Sequence, residues 1–208
     1  MKLIRIFLLL YVVALISSCG GKSPQKEPPA GVSGQSSGKY EIKSGIIEYR
    51  SIMSGSEAVQ TLSFDNYGEE EKLETVMNVS NIRITTVSIA KDGFIYSYNP
   101  ATKTGTKVEI LGRQSSIIDF RNLSEEVRRK MNLEIVDTVL IDERTCLQYS
   151  VDWVERSMTG LYSVWKGITV ESEIKILNTD MVMTATNIVE NPVIPPEKFE
   201  LPADIRLN

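Results

Sequence analysis

The sequence predicts a mainly β domain of the α+β kind, an antiparallel meander with one short helix. Three observations carry this expectation. From residue 39 onward most of the chain runs in short stretches where branched and polar residues alternate, the period of half-buried strands. Turn signals separate these stretches, among them Asp92-Gly93 and Lys166-Gly167, where Gly supplies the positive φ of a tight hairpin. Only residues 122–132 change to a helical period.

Taken in order, Tyr40-Glu41-Ile42-Lys43 and residues 45–53 read as a first long strand, broken or bulged at Gly45. Ser54-Gly55-Ser56 turns it, residues 59–65 return, and Asn66-Tyr67-Gly68 turns again. Glu69-Glu70-Glu71-Lys72 is expected as a solvated, charged tip. Residues 75–79, 82–90 and 94–98 follow as strands, with a loop over 100–107 before a strand at 108–111. The helix has Asn122 or Ser124 as N-cap, acids in its first turn and bases in its last, as the helix dipole favours. Leu123, Val127 and Met131 form its apolar side, suited to plugging one side of the sheet. Strands resume at 134–141 and 146–154, and Asn178-Thr179-Asp180 turns into a strand at 181–189. The tail, Pro192 to Pro202, is too rich in proline for a central strand and is expected across an edge.

The Lys166-Gly167 hairpin can be read in most detail. With Trp165 facing Ile168, Ser163 faces Val170 and Leu161 faces Ser172. One side is then Leu161, Ser163, Trp165, Ile168 and Val170. The other is Tyr162, Lys166, Thr169, Glu171 and Glu173, with Val164 as its aliphatic exception. Such a hairpin needs further strands or a helix over its apolar side.

Residues 1–18 carry Lys2 and Arg5, then an apolar run too short to span a bilayer comfortably, then small residues, the order of a secretion signal. Ile16-Ser17-Ser18-Cys19 resembles a bacterial lipobox, which implies cleavage before Cys19 and lipidation of its sulfur. Several acyl chains at about 0.8 kcal/mol per buried CH₂ give stable membrane anchoring. Residues 20–38 hold almost nothing that packs and read as a disordered tether spanning about 25 Å. By the enteric sorting rule, Gly rather than Asp after the lipidated cysteine implies the outer membrane, with the periplasmic face as the simpler placement. The folded part is a single domain over 39–208.

Loss of residues 1–18 removes two bases and no acids, leaving 21 basic against 27 acidic residues and a formal net charge of −6. With no basic stripe, nucleic acid is not an expected partner. Cys146 is the one cysteine left after Cys19, so no intrachain disulfide is expected; it reads as a small buried hydrophobe, with a reactive or intermolecular thiol as the alternative. The chain has no histidine, which removes Ser-His-Asp and Cys-His catalysis and imidazole zinc sites. Asp65, Glu69 and Glu171 read as exposed acids on turns and strands, so no enzyme, metal or cofactor is expected.

Several segments together resemble envelope proteins related to the lipoprotein-localisation (Lol) carriers. They are Phe64-Asp65-Asn66-Tyr67-Gly68, residues 98–105 with Thr102-Lys103-Thr104-Gly105, Cys146 followed by Tyr149, residues 162–167, and Phe199-Glu200-Leu201-Pro202. The resemblance implies a strongly curved antiparallel sheet, a half-open barrel, with helices over its concave face and a hydrophobic cavity for acyl chains. The arginine that holds the soluble carrier shut and the protruding leucine of the receptor have no matching position here. A cavity of this kind would be lined by Trp165, Ile168 and Val170, with Trp153, Met181 and Met183 as neighbours; each would equally suit a filled core. Two functions are therefore in view. One is a lipid-anchored, periplasmic module binding an acyl chain or a lipoprotein. The alternative is an interaction lipoprotein that docks an envelope protein partner on the same sheet.

Overall fold

A computed structural model describes residues 38–208 except 54, 81 and 111–116. Cys19, the signal segment and tether residues 20–37 lie outside the described residues. The strands are β1 (Gly45–Met53), β2 (Ser56–Asp65), β3 (Glu70–Val79), β4 (Ile82–Lys91), β5 (Phe94–Asn99), β6 (Thr104–Glu109), β7 (Glu134–Ile141), β8 (Arg144–Trp153), β9 (Met158–Trp165), β10 (Ile168–Ile176), β11 (Thr179–Glu190) and β12 (Arg206–Leu207), with helix α1 (Glu125–Lys130) between β6 and β7. Together they make one curved, unclosed sheet of twelve strands in the order β12-β6-β5-β4-β3-β2-β1-β11-β10-β9-β8-β7. Every pairing is antiparallel except β12 on β6. The fold class is the one the alternation predicts: each hairpin pairs locally, and β1 with β11 joins the two halves.

The inner face of the sheet carries Ile47 and Tyr49 of β1, Leu62 and Phe64 of β2, and Ala185 of β11, all buried. Residues 40–43, expected as the start of the first strand, instead belong to a strap of successive bends over residues 38–43. The reason is at Gly45, where both neighbours of β1 begin their pairing and a Cβ would meet the Phe64 ring at 2.6 Å. The chain turns over the end of the sheet there. Its backbone polar groups find partners across two turns: Tyr40 N–H donates to Tyr67 O (3.1 Å), Tyr67 N–H to Lys43 O (2.8 Å), and Glu41 N–H to Lys166 O (3.0 Å). Asn66, Tyr67 and Gly68, all with positive φ, make the first of these turns as expected.

The second cover is residues 117–133. Ser124 is the N-cap, its hydroxyl accepting from Val127 N–H at 3.2 Å, and acids and bases sit at the ends expected of them. Leu123, Val127 and Met131 pack inward as the periodicity predicts, and Phe120 lies 4.9 Å from Tyr149 and 5.2 Å from Tyr162 between ring centroids. The tail does more than cross an edge. It buries Phe199 in a 3-10 turn against β3 and β4, then packs Leu201 and Ile205 on Val87, Ile89 and Tyr98. Pairing places Ile89 beside Lys72 and Ala90 beside Glu71, so this small core lies on the outer face. The chain then adds β12 to the free edge of β6, which begins at Thr104 rather than at 108.

In the Lys166-Gly167 hairpin the Trp165–Ile168 pair forms as expected, but a bulge between Thr169 and Glu171 shifts the rest by one. Ser163 faces Glu171 and Leu161 faces Glu173. The expected sides of β9 are therefore only partly kept: Tyr162 and Val164 are buried and Leu161 is exposed, whereas Ser163 is buried and Trp165 packs on the core as expected.

Candidate ligand-binding face

The inner face and its two covers form the candidate site. At its centre Tyr40 is fully buried, its ring stacked on Phe64 with centroids 3.9 Å apart. The Tyr40 hydroxyl donates to Glu71 Oε1 at 2.6 Å, and Lys39 Nζ meets the same oxygen at 2.7 Å. Both ionic partners are almost wholly buried. Glu71 Oε2 has no hydrogen-bond partner among the described residues. The run of acids predicts a solvated place for Glu71, and the structure corrects this. Strand alternation sends Glu70 outward to Lys91 (2.8 Å) and Glu71 inward beside Phe64.

The field of this carboxylate reaches its neighbours. Burial pushes the Tyr40 phenol well above its ordinary range, and the Glu71 charge and hydrogen bond push it further, with smaller contributions from Tyr49 and Asp119. Burial and then Glu71 likewise raise Tyr49. Asp119 differs from Glu71 in being locally satisfied: it accepts from the N–H groups of Arg121 and Asn122 and from Asn122 Nδ2 (2.9 Å). The two covers are latched together where Gly38 O accepts from Arg121 Nη1 (2.9 Å) and Asn122 Nδ2 (3.3 Å). Gly167, at φ +83°, lies so close that a Cβ there would land on Lys39 O.

The six residues expected around a cavity fall into two packed groups. Ile168 and Val170 belong to the cluster of Tyr40, Phe64 and Ile47, with Trp165 and Met183 packed on it. Trp153 and Met181 pack on the second cluster, under Phe120 and Met131. Trp165 also receives Lys166 Nζ at 4.4 Å and the Arg144 guanidinium at 5.2 Å from its ring centroid. The Trp153 indole N–H is buried with no partner among the described residues. A surface depression of about 560 Å³, lined by Thr102 to Thr104 and Ala203 to Arg206, involves none of the six. Asp65, Asn66 and Glu69 bond to one another across their turn. Cys146 is buried in the first cluster, and desolvation raises its thiol above the ordinary range, with Glu171 adding to the rise and Arg144 opposing it. Sequence reasoning does not single out Lys39, Tyr40 or Glu71. The available signal is Tyr40 itself, an aromatic at the point where the unpackable tether ends.

No protein-family profile matches the chain, and no curated protein matches it in sequence. Solved structures are similar in architecture. An uncharacterized conserved protein from Thermus thermophilus has a TM-score of 0.55 at 7% identity, over 80% of this chain and 90% of that one. MucB in complex with MucA(peri) has a TM-score of 0.48 at 10% identity, over 80% of this chain and 56% of that one. A putative outer membrane lipoprotein-sorting protein domain from Vibrio parahaemolyticus has 0.41 at 9%, over 79% and 91%. At such identities the likeness is one of fold.

Proposed function

We propose that the chain is a non-enzymatic envelope lipoprotein, anchored through Cys19 to the outer membrane and facing the periplasm, whose inner sheet face takes an acyl chain or a similar extended apolar ligand. The observation that carries this reading is the nature of the cover. The apolar inner face is closed by two segments outside the sheet, residues 38–43 and 117–133, held at their junction by a few polar latches. Covers of this type can leave without breaking a strand ladder, whereas a second sheet could not. The lipobox and the resemblance to the Lol carriers supply the compartment and the ligand class.

Residues 37–208 form a compact unit by themselves, so the domain can be made without the anchor. The test is uptake of the neutral fluorophore N-phenyl-1-naphthylamine, with native mass spectrometry of protein purified without detergent. Saturable uptake, or a co-purified lipid mass, is the expected result. A bare mass together with no uptake would overturn the reading. The packed state of Ile168, Val170, Met183 and Tyr40 would then favour the second reading, an interaction module with a filled core docking an envelope protein.

A further inference from the structure

We infer that the bed of the strap is a site for an amphiphile whose apolar chain ends in a cationic or hydrogen-bond-donating group, and that such a ligand binds by displacing residues 39–42. The inference rests on the ligand-binding reading above and specifies the chemistry of its site. The strap is itself a template. Tyr40 lays an apolar ring on Phe64 and ends in a donor to Glu71, while Lys39 brings a cation to the same carboxylate oxygen. When the strap leaves, both donors leave with it. Glu71 then stands as a carboxylate in a wall made of Phe64 on one neighbouring strand and Ala90 on the other.

An uncompensated buried carboxylate is costly, and one oxygen of Glu71 lacks a partner among the described residues even with the strap in place. A ligand that brings a donor or a positive charge restores what the strap took away. A fatty acid would bring a second anion to the site and is disfavoured. Among the other ionisable groups near the strap, Asp119 has its acceptors filled by the 119–122 turn, Tyr49 is a buried phenol, Arg121 lies at the partly exposed rim with Gly38 O and Glu41 (3.7 Å), and Lys166 pairs with Glu190 (3.0 Å). Glu71 is thus the group that selects the headgroup.

The chain-matched pair dodecylamine and dodecanoate tests this on residues 37–208, each competing against the neutral fluorophore at pH 7. Dodecylamine is expected to displace the fluorophore about tenfold or more better, the scale of one charge-assisted hydrogen bond. In Glu71→Gln the preference should fall to about twofold or less, with near-UV circular dichroism used to check that the fold persists. In Tyr40→Phe, which keeps the ring on Phe64 and removes one strap latch, the preference should persist and amine binding should tighten. Amide exchange adds a direct readout: amine saturation should expose the N–H groups of Tyr40 and Glu41, now bonded to Tyr67 O and Lys166 O. Equal competition by the two probes, a preference that survives Glu71→Gln, or strap amides still protected at saturation would each overturn the inference while leaving fluorophore uptake, and so the broader reading, intact. Absence of uptake in every variant would instead overturn the broader reading.

Discussion

Glu71 is held in place by two donors on one oxygen, and its other oxygen receives none from the described residues. A carboxylate in that state contributes more to specificity than to stability, because desolvation offsets most of the attraction from Lys39. The strap is thereby fixed in one register: no other pair of neighbours between 38 and 43 joins a basic side chain to an aromatic one with a hydroxyl. Glu71→Ala is expected to lose about 3–5 kcal/mol, since it removes the anion that the buried Lys39 ammonium meets. The double change Lys39→Met with Glu71→Gln should recover most of that loss, because it removes both charges and leaves the Tyr40 hydroxyl an acceptor. Urea denaturation of the three proteins checks both values. A double variant as unstable as the single one would mean that the ion pair holds the strap energetically rather than by specifying it.

At the scale of elements, the outer-face core is small and depends on one returning segment. Val87, Ile89 and Tyr98 are covered by a tail that has no ladder of its own until β12, so its docking rests on side chains such as Phe199, 1% exposed. Phe199→Ala should therefore cost about 3–5 kcal/mol and raise protease sensitivity beyond Asn191, while leaving the inner-face cluster intact. Limited proteolysis followed by mass analysis distinguishes this from global loss of the fold. The proline content of the tail does indicate that it lies outside the central ladder, but nothing local to it encodes the face it covers. The same contrast runs through the chain. Hairpins marked by Asp92-Gly93 and Lys166-Gly167, the Ser124 cap and the inward side of α1 are legible because each is determined by neighbours in sequence. The bulge between Thr169 and Glu171 is not legible, since nothing in the local alternation marks it, and with it Tyr162 and Val164 are buried and Leu161 is exposed. The inward turn of Glu71 is hidden by its place in a run of acids, where only the strand phase separates the buried carboxylate from Glu70 beside it. The strap reads as a strand because Tyr40-Glu41-Ile42-Lys43 alternates correctly; only the distant Phe64 ring decides otherwise.

For the molecule as a whole, buried phenols give stability a definite dependence on alkaline pH. Tyr40, Tyr49 and Tyr162 all sit on the inner face, and burial is the first cause of the rise in each; Tyr162 is pushed up to about 12, and Glu71 adds to the rise in the other two. In the unfolded chain these phenols ionise near pH 10. Below that value both states keep their protons and the phenols contribute no pH dependence. Above it the unfolded chain binds fewer protons than the folded one, so stability falls as pH rises, through a window from about 10 to about 12 for Tyr162, with Tyr40 and Tyr49 acting in the same direction. Such a group costs about 1.4 kcal/mol per pH unit inside its window, so Tyr162 alone should remove about 1.4 kcal/mol by pH 11, and Tyr40 and Tyr49 add to the loss. Urea midpoints should accordingly be flat up to about pH 9.5 and then fall steeply. Because the inner-face clusters share one sheet, joined at its middle by the pairing of β1 with β11, the phenolate absorbance of these tyrosines should appear in step with the loss of near-UV circular dichroism. Phenolates that titrate near pH 10 while the near-UV signal is unchanged would mean that water reaches the inner face in the folded state. The strap would then open readily without any ligand, and its role as a cover would be lost along with the expected pH dependence.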